Sequence, residues 1–173
     1  MCTYDKTVFL KSIEAMVPTY DHKGNNACNV LYAEEERKLL PISVSRFMRS
    51  WFHFLHIDLY AQRMWSREIL GHRNLNPIII NEHAIFIPVK LREAVGKKDG
   101  SYGYIRVSRI ADITCDYILL GSGTKILYLS SHQTIKKKIL HANLLKYKYL
   151  EELKLQRMIY TSTEDDSPGD WED

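Results

Sequence analysis

The chain has 173 residues and a mass of 20.3 kDa, with 45% hydrophobic and 26% charged residues; these values fit one globular domain and exclude a collagen-like, mucin-like or wholly disordered chain. Its longest apolar runs, Pro77–Ile80 and Ala84–Val89, fall far short of a membrane helix, no secretory signal is visible at Met1–Lys6, and three cysteines without paired spacing suit a reducing cytosol. Residues 160–173 carry six acids and no Lys or Arg, which leaves residues 1–159 with all 24 basic groups against 15 acids, a net of +9.

No internal repeat is present. Val8–Val17 alternates weakly and is expected to break at Pro18 and the turn cluster Asp21–Asn26. Asn29–Ala33 and Leu39–Val44 read as short strands around the charged link Glu34–Lys38, with Pro41 placing the second at a sheet edge. Residues 45–57 are aromatic-rich, and Phe47, Trp51 and Phe54 step by four and three, which favours a helical turn or two. A firmer helix is expected over about 58–70, capped by Asp58 and ended by Gly71. There Tyr60, Ala61, Met64, Trp65 and Ile69 form the apolar stripe, and Gln62, Arg63, Ser66 and Arg67 the solvent side.

Pro77–Ile80 and Ala84–Val89 predict a hairpin through Asn81-Glu82-His83. Lys97–Ser101 is a basic turn, followed by an alternating run over Tyr102–Ile110. Asp116–Leu120 and Lys125–Leu129 flank Gly121-Ser122-Gly123, a second hairpin. Ser130 or Ser131 can cap a long C-terminal helix, about 131–157, through Ile135, Ile139, Ala142, Leu145, Tyr149 and Leu153; a helix of that kind often serves packing or dimerisation. The expected fold is α+β, mainly antiparallel β-hairpins with a short central helix and a long C-terminal one. Residues 1–159 are expected to form a single domain, and 160–173 an acidic, disordered tail.

Catalytic chemistry finds little support. His53, His56 and His72 lack a Cys-x-x-Cys or His-Glu-x-x-His companion, and His53, among aromatics, reads as a packing histidine. Cys28 and Cys115 have apolar neighbours and are expected to be buried, inert thiols. Gly121–Lys125 resembles the end of a P-loop, but a strand follows it, so a hairpin turn explains it better. Glu36-Arg37-Lys38 spells the acid-x-Lys of metal-dependent nucleases, with Asp21 as the one nearby second acid. No enzyme activity, metal or cofactor is expected.

The basic residues say more. Between Arg46 and Arg109 lie eleven of them against five acids, and eight are arginine, whose planar fork suits phosphate and narrow minor grooves. Aromatics are interleaved, of which Trp65 reads as core. The pattern suits a polyanionic partner.

Ser45-Arg46-Phe47, Tyr60-Ala61-Gln62-Arg63 and Asn76-Pro77-Ile78-Ile79-Ile80 leading to Ile85-Phe86-Ile87-Pro88 follow one another in order, then Gly103-Tyr104-Ile105, Ser122-Gly123-Thr124-Lys125 and a Ser-rich start to the last helix. This ordered set, over roughly residues 28–150, resembles the ComK family, the competence transcription factors of low-GC Gram-positive bacteria. Relatives can carry Cys where Ser45 stands and Gly where Gln62 stands.

The resemblance implies a cytoplasmic, sequence-specific DNA-binding activator. It would bind paired A/T-rich promoter boxes mainly through the minor groove, as dimers or pairs of dimers, and switch on DNA-uptake genes through RNA polymerase. In some bacteria an adaptor and a Clp protease control the level of such proteins. Arg46 and Arg63 match the signature, and Arg63 and Arg67 share a predicted exposed helical face; these three are the leading DNA-binding candidates. Arg49, Arg73, Lys97 and Lys98 are supporting phosphate contacts. Two alternatives are a ComK-like interaction module that titrates a relative or a protease adaptor, and the nuclease using Glu36 and Lys38. The acidic tail reads as a partner handle, a screen against non-specific DNA, or an inert end.

Overall fold

A computed structural model describes residues 6–34 and 36–161. Among the described residues nine strands and three α-helices follow one another in a mixed order: β1 (Ile13–Tyr20), β2 (Asn26–Tyr32), β3 (Arg37–Leu40), α1 (Val44–Phe54), α2 (Leu59–Leu70), β4 (Ile78–Asn81), β5 (Ala84–Lys90), β6 (Tyr102–Arg106), β7 (Ile110–Ile113), β8 (Tyr117–Leu120), β9 (Lys125–Leu127) and α3 (His132–Thr161). Six strands form one antiparallel sheet in the order β3-β2-β1-β6-β5-β4, and β7-β8-β9 form a second, smaller one. The expected α+β class is the observed one, including the long helix.

The large sheet is buried on both faces, which is why Ile85–Val89 reads as an unbroken apolar run instead of an alternation. On one face, Met16, Cys28, Val30 and Phe86 pack beneath the α1 side chains Phe47, Met48, Trp51 and Phe52. On the other, Ala15, Leu31, Ile85, Ile87, Val89 and Ile105 pack against the small sheet and the α3 residues Ile135, Ala142 and Leu145. Neighbours along β5 and β6 divide between the two clusters, as the two-residue period of a strand requires. Ring contacts knit the first core; Trp51 meets Phe86 edge-on at 5.4 Å.

Several boundaries differ from expectation, each for a local reason. Pro18 does not end its strand: β1 runs to Tyr20, with Pro18 opposite Cys28, and pairing with β6 stops at Met16, so the missing N–H falls beyond that ladder. The strand expected over Leu39–Val44 closes at Leu40, an outer strand of the sheet as Pro41 suggested, and Val44 opens α1 instead. The switch is made by Ser43, whose hydroxyl accepts from the Arg46 N–H at 3.2 Å. The run over Tyr102–Ile110 is broken by a 3-10 turn at Val107–Arg109. Ser131 caps α3 by accepting from Thr134 N–H, and the helix continues through Tyr160 and Thr161, past the expected end and into the segment assigned to the tail. The rest of that segment, 162–173, lies outside the described residues, as does Cys2.

Helix α2 has the expected caps: Asp58 accepts from Tyr60 and Ala61 N–H, and Gly71 closes it at φ +69°. Its inward face is in part a correction: Trp65 and Ile69 of the expected stripe pack against the core, but the rest differs. Tyr60 and Ala61 are exposed, whereas Ser66 is fully buried and Gln62 half-buried. Strand β4 is an outer strand, paired only with β5, and α2 covers it: Gln62 Nε2 donates to the Ile79 carbonyl at 3.0 Å and Ser66 Oγ to the Pro77 carbonyl at 3.4 Å. Small and amide side chains face inward because they satisfy backbone acceptors there. Trp65, read as core, is half-buried and ties α2 to α3 through Nε1 to Glu152 at 2.8 Å.

One close approach sets a sharp constraint. A Cβ on Gly103 would press into the Met16 carbonyl of the neighbouring strand and stand 2.5 Å from Leu91 Cδ1. Gly103→Ala is therefore expected to lower unfolding stability by about 1–3 kcal/mol, read by urea denaturation; an unchanged midpoint would contradict this packing.

Candidate nucleic-acid interface

Beside α1, part of the sheet's first face is left uncovered and forms a cleft of about 260 Å³. Its floor is Pro18, Ala27, Tyr102 and Tyr104, and one wall is the first turn of α1, Ser43 to Ser45, with Met48. Arg63 enters from α2; Arg92, Lys98 and Gly100 enter from the loop between β5 and β6. A second cleft of about 460 Å³ is lined by Arg63, Tyr104 and the segment Arg73-Asn74-Leu75-Asn76. Arg63 and Tyr104 line both clefts, so the two lie side by side with Arg63 between them.

The local geometry explains how the cations are held apart from internal partners. The Arg63 guanidinium lies near the Tyr104 hydroxyl; burial pushes that phenol's pKa up, and the guanidinium partly opposes the shift. The loop before β6 is pinned by its own interior groups. Arg92 donates to the carbonyls of Gly100 (2.7 Å) and Thr19 (2.8 Å) and to Asn26 Oδ1, and lies over the Tyr20 ring at 4.1 Å. Asp99 accepts from Tyr20 Oη and Asn26 Nδ2 at 2.7 Å each and from Gly96 N–H; the Tyr20 bond is the largest cause of its lowered pKa. With Arg92 and Asp99 turned inward, Lys97 and Lys98 are left exposed. The first turn of α1 adds the partial positive charge of a helix N-terminus to the same cleft.

All seven sequence-derived candidates, Arg46, Arg49, Arg63, Arg67, Arg73, Lys97 and Lys98, are exposed, and none forms an ion pair among the described residues. The fold brings Arg63, Arg73 and Lys98 to the two adjoining clefts. Arg46 sits beside the lining residue Ser45, Arg67 one turn along α2 from Arg63, and Lys97 next to Lys98; these and Arg49 do not line either cleft.

Other basic residues of the same stretch have structural duties. Arg106 donates to the His83 carbonyl (3.0 Å) and Ser12 Oγ (2.8 Å), and Lys90 pairs with Glu93 at 2.8 Å. Arg109 pairs at 2.6 Å with Glu14, a carboxylate with no solvent exposure.

Sequence reasoning missed Arg92, Tyr104 and Lys138. Lys138 donates from Nζ to the Leu75 carbonyl at 3.0 Å and so tethers the cleft segment to α3. The run Lys136-Lys137-Lys138 was the available signal.

The remaining candidates separate. Glu36 pairs with Lys11, while Asp21 closes the β1–β2 turn by accepting from Lys23 and Asn25 N–H. Glu36 follows the far end of β2, a seven-residue strand of roughly 20 Å, so the two acids do not converge. No group of three or more His, Cys, Asp or Glu placed to hold a metal occurs among the described residues. His53 is exposed instead of packed, because 44, 47, 48, 51 and 52 form the buried side of α1.

Cys28 is buried, its thiol pushed up to about 12 by desolvation. Cys115, expected to be buried, is exposed, since Ile113 ends β7 and Cys115 falls in the turn before β8. No described helix is long and apolar enough to cross a membrane. No protein-family model matches the chain, and neither a curated protein nor a solved structure matches it significantly.

Proposed function

We propose that the chain is a ComK-like transcriptional activator that binds A/T-rich duplex DNA. Arg63 carries this reading. It stands without a carboxylate partner at the junction of two clefts, with Arg73 on one side and Lys98 on the other. Unpaired guanidinium groups on a rigid scaffold are what a narrow A/T minor groove attracts, because its negative potential is enhanced there. Arg46 and Arg67 would join Arg63 at the groove, and Arg49, Arg73, Lys97 and Lys98 would contact phosphates on either side. In this reading the protein acts in the cytoplasm as dimers or pairs of dimers at promoters of DNA-uptake genes, works through RNA polymerase, and is subject to an adaptor–Clp protease system.

The test is a mobility shift at physiological salt with an A/T-rich promoter duplex against a G/C-rich one of equal length. Preferential retardation of the A/T-rich fragment is expected. Absence of any shift would reject the reading in favour of an interaction module without DNA binding. In the same assay, Lys97→Ala and Lys98→Ala should each reduce the slope of log affinity against log salt by about one and weaken both duplexes alike.

A further inference from the structure

The segment between α2 and β4 is fastened to α3 by an unusual set of groups. The His72 and His141 rings lie 5.1 Å apart between centroids, tilted by 32°. Lys138 holds the Leu75 carbonyl, Leu75 adopts φ +60°, and Asn76 Nδ2 donates to the His72 carbonyl at 2.8 Å. Within this clasp the segment presents Arg73 to the second cleft.

The charge environment is one-sided. The groups that act on His141 are His72, Lys137 and Lys138. From His132 to Leu150 helix α3 contains no acid, and neither does the segment from Gly71 to Pro77. Glu68, at the end of α2, forms no ion pair with either ring. Strands β4 and β5 pack against α3 as well; Glu82 in their turn faces His83, and Lys90 at the end of β5 is paired with Glu93. Two imidazoles and two ammonium groups thus gather with no counter-charge of their own.

We propose that His72 and His141, with Lys137 and Lys138, form a phosphate-binding site that takes up a proton together with its ligand. The nucleic-acid reading supplies only the expected source of the phosphate, the duplex backbone beyond Arg73. Without a ligand, burial and then the neighbouring cations hold the His141 pKa below its ordinary value, so the ring is neutral at pH 7. A bound phosphate reverses that balance. It favours the imidazolium, whose two N–H groups both donate, and so raises the ring pKa in the complex. The proton comes from solvent. By linkage, affinity must then strengthen as pH falls through the window between the bound and free pKa values.

NMR titration of the histidine ring protons tests this in three media of matched ionic strength: chloride, inorganic phosphate, and chloride with an A/T-rich duplex. The His141 ring pKa should rise in phosphate and with duplex. Duplex affinity should grow about tenfold from pH 8 to pH 5, one pKa unit of linked uptake, and this gain should vanish in His72→Gln, His141→Gln. Arg63→Ala should lower affinity at every pH and keep the slope. A His141 ring pKa that is the same in all three media overturns the proposal. A rise in phosphate with no duplex binding upholds the site and rejects the duplex as its source. A rise with duplex alone upholds the site as a reader of backbone phosphate.

Discussion

The Arg63→Ala, Arg67→Ala variant is expected to bind an A/T-rich duplex at least about thirtyfold more weakly than the parent, counting about 1 kcal/mol or more for each groove-directed arginine. The two side chains stand one turn apart on α2, both exposed and neither in an ion pair among the described residues. Arg63 meets the core only near the Tyr104 hydroxyl, and α2 is held mainly by other residues: Gln62 and Ser66 bond to the sheet side, Trp65 bonds to α3, and Ile69 and Leu70 pack against the core. The melting transition should therefore stay close to the parent's, which separates a lost contact from a lost fold. The preference for A/T over G/C duplex should erode too, since an arginine in a narrow minor groove reads its shape, whereas a phosphate contact weakens all sequences alike. A variant that binds and discriminates like the parent would sink the assignment of this helix face.

Much of the architecture was legible in the residues, because local chemistry and tertiary packing agree there. Asp58 and Gly71 cap α2 as their types suggest, the Asn81-Glu82-His83 and Gly121-Ser122-Gly123 turns join paired strands, and Ser131 opens α3. The failures are places where a partner distant in sequence overrides the local signal. Pro18 reads as a breaker, yet the strand continues because the neighbouring ladder has already ended. The apolar stripe of α2 gives only part of its inward face: Trp65 and Ile69 pack against the core, but an outer strand that needs hydrogen-bond donors also draws Gln62 and Ser66 inward. The candidate interface divides in the same way. That seven basic side chains reach solvent follows from their spacing and from the excess of charge. That Arg63, Arg73 and Lys98 converge depends on Tyr104 and on the Arg92 and Asp99 anchors, whose partners lie 66 to 79 residues away. Arg109 teaches the converse: it has the same residue type as the candidates, in the same basic stretch, and points inward to Glu14.

Arg109→Ala should be among the most damaging single substitutions in the chain. Glu14 is wholly buried on β1, and its carboxylate has two partners, Arg109 Nε at 2.6 Å and Ser122 Oγ at 2.7 Å. The trio joins the large sheet, the 3-10 turn and the β8–β9 turn, where the Gly121 N–H also donates to the Arg109 carbonyl at 2.8 Å. Removing the guanidinium leaves a buried negative charge facing one hydroxyl, a defect that costs about 3–5 kcal/mol in comparable pairs. The loss is measured by urea or thermal unfolding. Glu14→Leu in the same background should recover most of it, because the pair's attraction mainly repays its own desolvation and a buried leucine needs no partner. The double-variant cycle therefore distinguishes a charge-compensation role from simple loss of packing around Arg109. If Arg109→Ala melts with the parent, the carboxylate must have another source of compensation. If the added Glu14→Leu change restores nothing, the damage lies in the packing of the 3-10 turn and not in the unpaired charge.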